Sequence, residues 1–178
     1  MGKRTLQFHR REEIMKRATL KDAAGLEIVG VGLHWNDVEI GDRFRTLART
    51  ITEADITMFI GVVGMVEEMF TNVEYIREVS VIGTRPAPGS LVFCIAEGLL
   101  MQSTMQRTGM AFLEADVKVL KPTTAGDTIH VECEVVEARA TSKGDRGLLR
   151  TFNKVINQRN ETVMTYNPLR MVKSRPNV

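Results

Sequence analysis

The chain is poor in the features that would settle its class at once. Of 178 residues only two are cysteines, Cys94 and Cys133, and neither stands in a Cys-x-x-Cys or Cys/His spacing. That argues against a disulfide framework, a zinc site or a redox pair. None of the three histidines, His9, His34 and His130, is spaced from another as metal ligands are. No metal and no organic cofactor are expected. Aromatic residues make up 6% of the chain, with a single tryptophan, which leaves little to stack on nucleobases. There is no run of 18 apolar residues, hence no expected membrane span, and no apolar stretch of the kind that marks a secretory signal. Neither sign of charge dominates: the formal net charge is +2, too little to argue for a polyanionic partner. A cytoplasmic location fits these absences best.

What is present is an ordinary globular balance, 43% hydrophobic and 26% charged, in a length that suits one domain with a tail. Residues 1–32 read as a basic extension. Seven basic residues fall within 1–21 against only Glu12 and Glu13. A solvated or partner-packing arm is the expectation, with a short helix near Arg10–Thr19, and nucleic-acid binding ranks last. Arg43 to Ile51 alternates as a strand does. Thr52, Glu53 and Asp55 then form a helix start, and Ile56, Phe59, Ile60 and Val63 recur at helical spacing up to Gly64. Asn72 is placed to cap a further short helix.

Leu91–Gln106 is the most apolar segment. Four turns that are apolar almost all round predict a helix covered on most sides. Strands follow at Ala111–Leu120, at Ile129–Val135, at Leu148–Ile156 and at Thr162–Val172, with a hairpin turn at Asn157–Asn160. Both cysteines have apolar neighbours and read as buried. His130 alternates with the apolar face of its strand and reads as solvated. The class is α+β: one long buried helix wrapped by a curved antiparallel sheet. An open sheet edge invites pairing with a second copy, so a symmetric dimer is expected.

Several stretches then carry a family resemblance. They are Trp35–Asp42, Thr50–Ile56, Phe59–Gly64, Ala87–Leu91, Glu97–Leu100, Leu120–Pro122, Gly126–Ile129 and Asn157–Gln158. In this order, over residues 33–174, the chain resembles the MaoC-like (R)-specific enoyl-CoA hydratase and dehydratase family of the hotdog fold, with residues 175–178 as a tail. The resemblance implies addition of water to a 2-enoyl thioester, or its reverse. An Asp and a His, five residues apart in a stretch like Gly-Asp-x-Asn-Pro-x-His, would hold the water and move the protons. The substrate would be an enoyl- or 3-hydroxyacyl thioester of CoA or a carrier protein.

At the places where the resemblance puts that dyad, this sequence has Met65 and Phe70, with Glu67 and Glu68 between them. Methionine and phenylalanine transfer no protons. Candidate replacements are Glu67, Glu68 and Glu97, the last set inside the apolar helix, where a carboxylate must be paired. Arg85 is a candidate for a substrate phosphate or carboxylate. Gly89 and Ser90 would offer helix-start amides to the thioester carbonyl. Three functions stay open: a hydratase or dehydratase with a substituted dyad, a catalytically degenerate subunit that binds acyl-CoA or partners an active homologue, and a glutamate-dependent acyl-CoA thioesterase.

Overall fold

The computed structural model describes residues 20–175. The expected helix over Arg10–Thr19 and most of the basic arm lie outside them. The described chain opens on a small hairpin, β1 (Leu20–Lys21) against β2 (Glu27–Ile28). Asp22 turns it, accepting from the amides of Ala24 and Leu26 at 2.9 and 2.8 Å.

The main sheet is antiparallel. Its strands are β3 (Arg43–Arg45), β4 (Arg49–Thr50), β5 (Gly109–Glu114), β6 (Val117–Val119), β7 (Thr128–Ala140), β8 (Arg146–Asn157), β9 (Thr162–Tyr166) and β10 (Leu169–Lys173). The long β7–β8 hairpin is the spine. β3 and β4 lie in line along the free side of β7, and β9 and β10 lie in line along the free side of β8. β6 and β5 continue the sheet beyond β9 and β10.

The in-line breaks have local causes. The strand expected over Arg43–Ile51 is two pieces because Thr46 bonds sideways: its hydroxyl accepts from the Val131 amide at 3.0 Å while its own amide donates to the Val131 carbonyl at 2.9 Å. The strand expected over Thr162–Val172 breaks at Asn167 and Pro168. Proline has no N–H for the ladder, and Asn167 Oδ1 accepts from the Asp116 amide at 2.9 Å. That contact lies between β5 and β6, so it interrupts the neighbouring strand at the same level.

β7 buries Ile129, Val131, Cys133 and Val135 on one face, as the alternation predicts. The other face brings a correction. His130 is buried, with Arg45 and Glu132 as its charged neighbours. Alternation tells which face of a strand a residue occupies and is silent on what then lies over that face.

The helical residues come in two groups. α1 (Glu53–Val63) starts on a reciprocal cap. Thr52 Oγ1 accepts from the Asp55 amide at 3.1 Å, and Asp55 Oδ2 accepts from the Thr52 amide at 2.8 Å. It ends at Gly64, whose φ of 70° is left-handed. α2 (Glu68–Thr71) and α3 (Val73–Val79) follow, α3 capped by Asn72 Oδ1 at 3.1 Å from the amides of Glu74 and Tyr75.

α4 (Gly89–Leu100) is the long apolar helix, and it continues as a π-turn over Met101–Met105. Ser103 and Thr104 hydroxyls bond back to the carbonyls of Leu99 and Leu100 there, each at 2.8 Å. Leu91, Val92, Ile95, Ala96 and Leu100 are buried in the core. Cys94 is exposed, which corrects its reading as a buried thiol. The apolar content of α4 exceeds what one sheet can cover, and the Cys94–Met101 side is left open. β5 and β6 are open too. Phe112, Leu113, Val117 and Val119 are 41–60% exposed along that edge, so the strand expected over Ala111–Leu120 is left partly uncovered by the described residues.

Candidate functional site

The segment carrying Met65 to Phe70 is the loop and short helix after α1. Gly64 reverses the chain, and the Met65 amide then donates to the Ile60 carbonyl at 3.0 Å. Met65 and Phe70 are half-buried and pack on the main core, as Phe59 of α1 also does. Glu67 and Glu68 point out to solvent. Glu68 Oε1 accepts from Asn72 Nδ2 at 2.6 Å, so it serves the start of α3.

Arg85 holds this segment in place. Its Nη1 donates to the Phe70 carbonyl at 3.1 Å, and Nη2 donates to Thr57 Oγ1 at 3.2 Å and pairs with the Glu53 carboxylate. One guanidinium thus ties α1, α2 and the approach to α4 together. Arg85→Met is expected to loosen that segment, read as faster amide exchange over residues 65–80 with the β7–β8 amides unchanged.

α4 begins on Pro88, and no side chain caps its first turn. The leading amides therefore form a positive end without an internal side-chain partner. Ser90 is exposed, and Gly89 lies against β6: a Cβ there would stand 3.0 Å from Val119 Cγ2. The strap below this end is fixed by Ala87 donating to the Thr123 carbonyl at 2.7 Å.

Asp127 anchors that strap, accepting from the Thr124 amide at 3.0 Å, Gln158 Nε2 at 2.8 Å and Arg159 Nη1 at 3.0 Å. Burial pushes its carboxyl up, and these three donors outweigh burial, so its pKa lies below the ordinary value. Glu161, bonded by Asn157, Lys121 and Arg159, is brought down to about 2. A depressed carboxylate adds stability above its unfolded pKa and loses it as pH falls toward its folded pKa. The melting temperature should therefore drop most steeply below about pH 4.5, and Asp127→Asn should flatten that drop.

Glu97 lies two turns into α4 and pairs with Arg170 of β10. Both are largely buried, with side chains 14% and 4% exposed. Tyr166 and Asn153 complete this layer from the inner face of the sheet, opposite one another in register. Burial first, and the Glu97 charge second, push the Tyr166 hydroxyl far above its ordinary range. Tyr166 and Arg170 fall two alternations apart on one face, and Asn153 shares a face with Val155. That periodicity was the available signal for residues the sequence analysis did not single out.

The structure thus brings Met65, Phe70 and Arg85 together, and Gly89 and Ser90 at the start of α4. Glu97 sits apart in the inner layer, and Glu67 and Glu68 face away.

The comparisons fit this architecture. A family model described as the FAS1-like, dehydratase domain region matches residues 39–166. A monoamine oxidase regulatory protein from Archaeoglobus fulgidus is 31% identical, with a TM-score of 0.73 over 82% of this chain and 97% of that one. A MaoC-like dehydratase from Rhodospirillum rubrum is 27% identical, TM-score 0.72, over 82% and 100%. An (R)-hydratase from Pseudomonas aeruginosa, 20% identical with a TM-score of 0.67 over 83% and 96%, shares the fold. No curated protein matches the chain. The protein is a hotdog-fold α+β domain of the MaoC-like dehydratase and hydratase type. It belongs to the FAS1-like dehydratase-region family. No helix among its described residues is long and apolar enough to cross a membrane.

Proposed function

We propose that this protein binds an enoyl- or 3-hydroxyacyl thioester of CoA or a carrier protein, and that on its own it does not hydrate it at the rate of a dyad-bearing relative. One observation carries this reading. Met65 and Phe70, at the two dyad positions implied by the resemblance, are apolar side chains packed on the main core. The neighbouring carboxylates do not compensate: Glu67 and Glu68 face solvent, and Glu97 is engaged by Arg170. Gly89 and Ser90 would receive the thioester carbonyl, and Arg85 would position the Met65–Phe70 segment. The exposed apolar edge of β5 and β6 and the open side of α4 support pairing with a second copy or with an active homologue.

The test combines binding with turnover. A panel of enoyl-CoAs should bind, with hydration absent or very slow. Installing the pair, M65D with F70H, should raise hydration by about 10²-fold or more, the usual contribution of general acid–base groups. No gain from a folded double variant that still binds thioester would remove Met65 and Phe70 from the dyad positions. Release of free thiol would instead point to glutamate-dependent hydrolysis.

A further inference from the structure

The helices α1–α3 carry more apolar surface than the core can use. Ile56, Ile60 and Ile76 are buried on their inner side. On the outer side, Met58 and Val62, one turn apart on α1, are 62% and 86% exposed. Beyond the reversal at Gly64, Val66, Met69 and Val73 are 41–73% exposed. One exposed aliphatic residue is ordinary, whereas five on so short a stretch mark a contact surface.

The same stretch is acidic. Residues 53–79 hold six carboxylates and one cation, Arg77. Arginines answer three of the six: Arg85 pairs with Glu53, Arg49 with Asp55 and Arg77 with Glu74. Glu67, Glu68 and Glu78 have no ion pair among the described residues, and Glu68 is bonded only by the neutral Asn72 side chain. The outer side is thus apolar and short of three positive charges.

The complement stands in the same chain. Seven basic residues against two acidic ones give residues 1–21 a formal +5, and with the whole chain at +2 the remainder stands at −3. Leu6, Phe8, Ile14 and Met15 are interleaved with those charges. Nineteen residues precede Leu20 and can span about 60 Å. A domain of this size has a radius of gyration of about 15 Å, so the helical face is within reach. Exposed ion pairs are individually weak, but a tethered segment acts at an effective concentration in the millimolar range. A second copy pairing symmetrically through this face would set the same glutamates against one another.

We propose that the basic N-terminal arm docks across the outer side of α1–α3, with its apolar residues on the Met58–Val73 surface and its cations against Glu67, Glu68 and Glu78. The inference is independent of the thioester reading. A docked arm covers from outside the segment that carries Met65 and Phe70.

The test joins lysine amines to carboxylates with a zero-length carbodiimide in the full-length protein. Isotope-labelled and unlabelled chains are mixed, so that bonds within and between chains separate by mass. Lys3 and Lys16 should couple to Glu67, Glu68 or Glu78 within one chain at low ionic strength. The yield should fall in 1 M salt, where charges are screened beyond about 3 Å. Replacing Arg10, Arg11 and Arg17 by Gln keeps every lysine and carboxylate and should lower the yield by about fivefold or more. Met58→Ser with Val62→Ser should lower it as well, because the apolar contact is lost. Absence of these bonds overturns the proposal, as do equal yields in wild type and in both variants with unchanged melting temperature. Bonds found only between chains overturn it too, and make a second copy the occupant of this face.

Discussion

Arg170→Met is expected to destabilise the fold by about 3–5 kcal/mol, the usual result of removing one partner from a buried ion pair. The Arg170 side chain is 4% exposed, and its guanidinium pairs with Glu97 across the interior. It also lies 5.5 Å from the ring centre of Phe112, which in turn packs edge-on against Phe93 of α4. Methionine would keep much of the volume and lose the charge. Glu97 would then be left as a largely buried carboxylate with an unpaired tyrosine hydroxyl nearby. Urea unfolding measures the loss. At about 2–4 °C per kcal/mol for a chain of this size, the melting temperature should fall by roughly 6–20 °C. Glu97→Gln combined with Arg170→Met should recover most of it, because the pair attracts no more than it costs to desolvate. A double variant as unstable as the single one would mean that Arg170 matters by its shape and its contact with Phe112, with its charge secondary.

That pair also marks how far sequence reasoning reached. Glu97 inside an apolar helix demanded a partner, and the demand was legible. The partner was not: alternation turns Arg170 inward, but the residue it meets stands 73 positions away on another element. Features written in consecutive residues were readable: the Thr52 cap, the Asn72 cap, the left-handed stop at Gly64, the apolar rod of α4 and the inward face of β7. Each depends on spacing within a turn or two. The breaks at residues 46–48 and 167–168 depend on single side chains reaching a neighbouring strand, as Thr46 does to Val131 and Asn167 to Asp116. No local pattern encodes such a reach.

The candidate site divides the same way. Met65, Glu67, Glu68 and Phe70 are near neighbours in sequence and remain near one another in space, but only the packing separates the half-buried pair from the solvent-facing glutamates. Arg85 was singled out as a contact for substrate. Its partners in this chain, Glu53, Thr57 and the Phe70 carbonyl, precede it by 15 to 32 residues. They turn a lone surface arginine into the tie between two helices and the loop before α4. Cys94 and His130 were misplaced for a related reason. Composition tells how apolar a surface is and periodicity tells which way it points, while what covers it is settled by distant chain.

Gly147 is the clearest case of such distant control, and Gly147→Ala should destabilise the protein by about 3 kcal/mol, at the upper end of overpacking costs. Gly147 lies in β8, paired with Val172 on one side and Ala140 on the other. The Trp35 ring lies flat over it: a Cβ there would stand 2.3 and 2.4 Å from the Cδ2 and Cγ ring carbons. The ring cannot simply swing aside, since its Nε1 donates to Ser174 Oγ at 2.8 Å. The turn that carries it is fixed as well. Asp37, at the end of that turn, accepts from Arg175 Nε at 2.7 Å and from the His34 amide at 2.9 Å. Alanine at 147 must therefore displace the ring, the Ser174 bond or the β8 backbone. Trp35 is the chain's one tryptophan, so its emission reports the displacement directly. The expected result is a red-shifted native spectrum together with a lower urea midpoint. Trp35→Leu in the Gly147→Ala background should restore part of the lost stability, because the branched side chain vacates the space that the new methyl needs. An alanine variant with wild-type emission and midpoint would mean that the indole does not sit over Gly147 in solution.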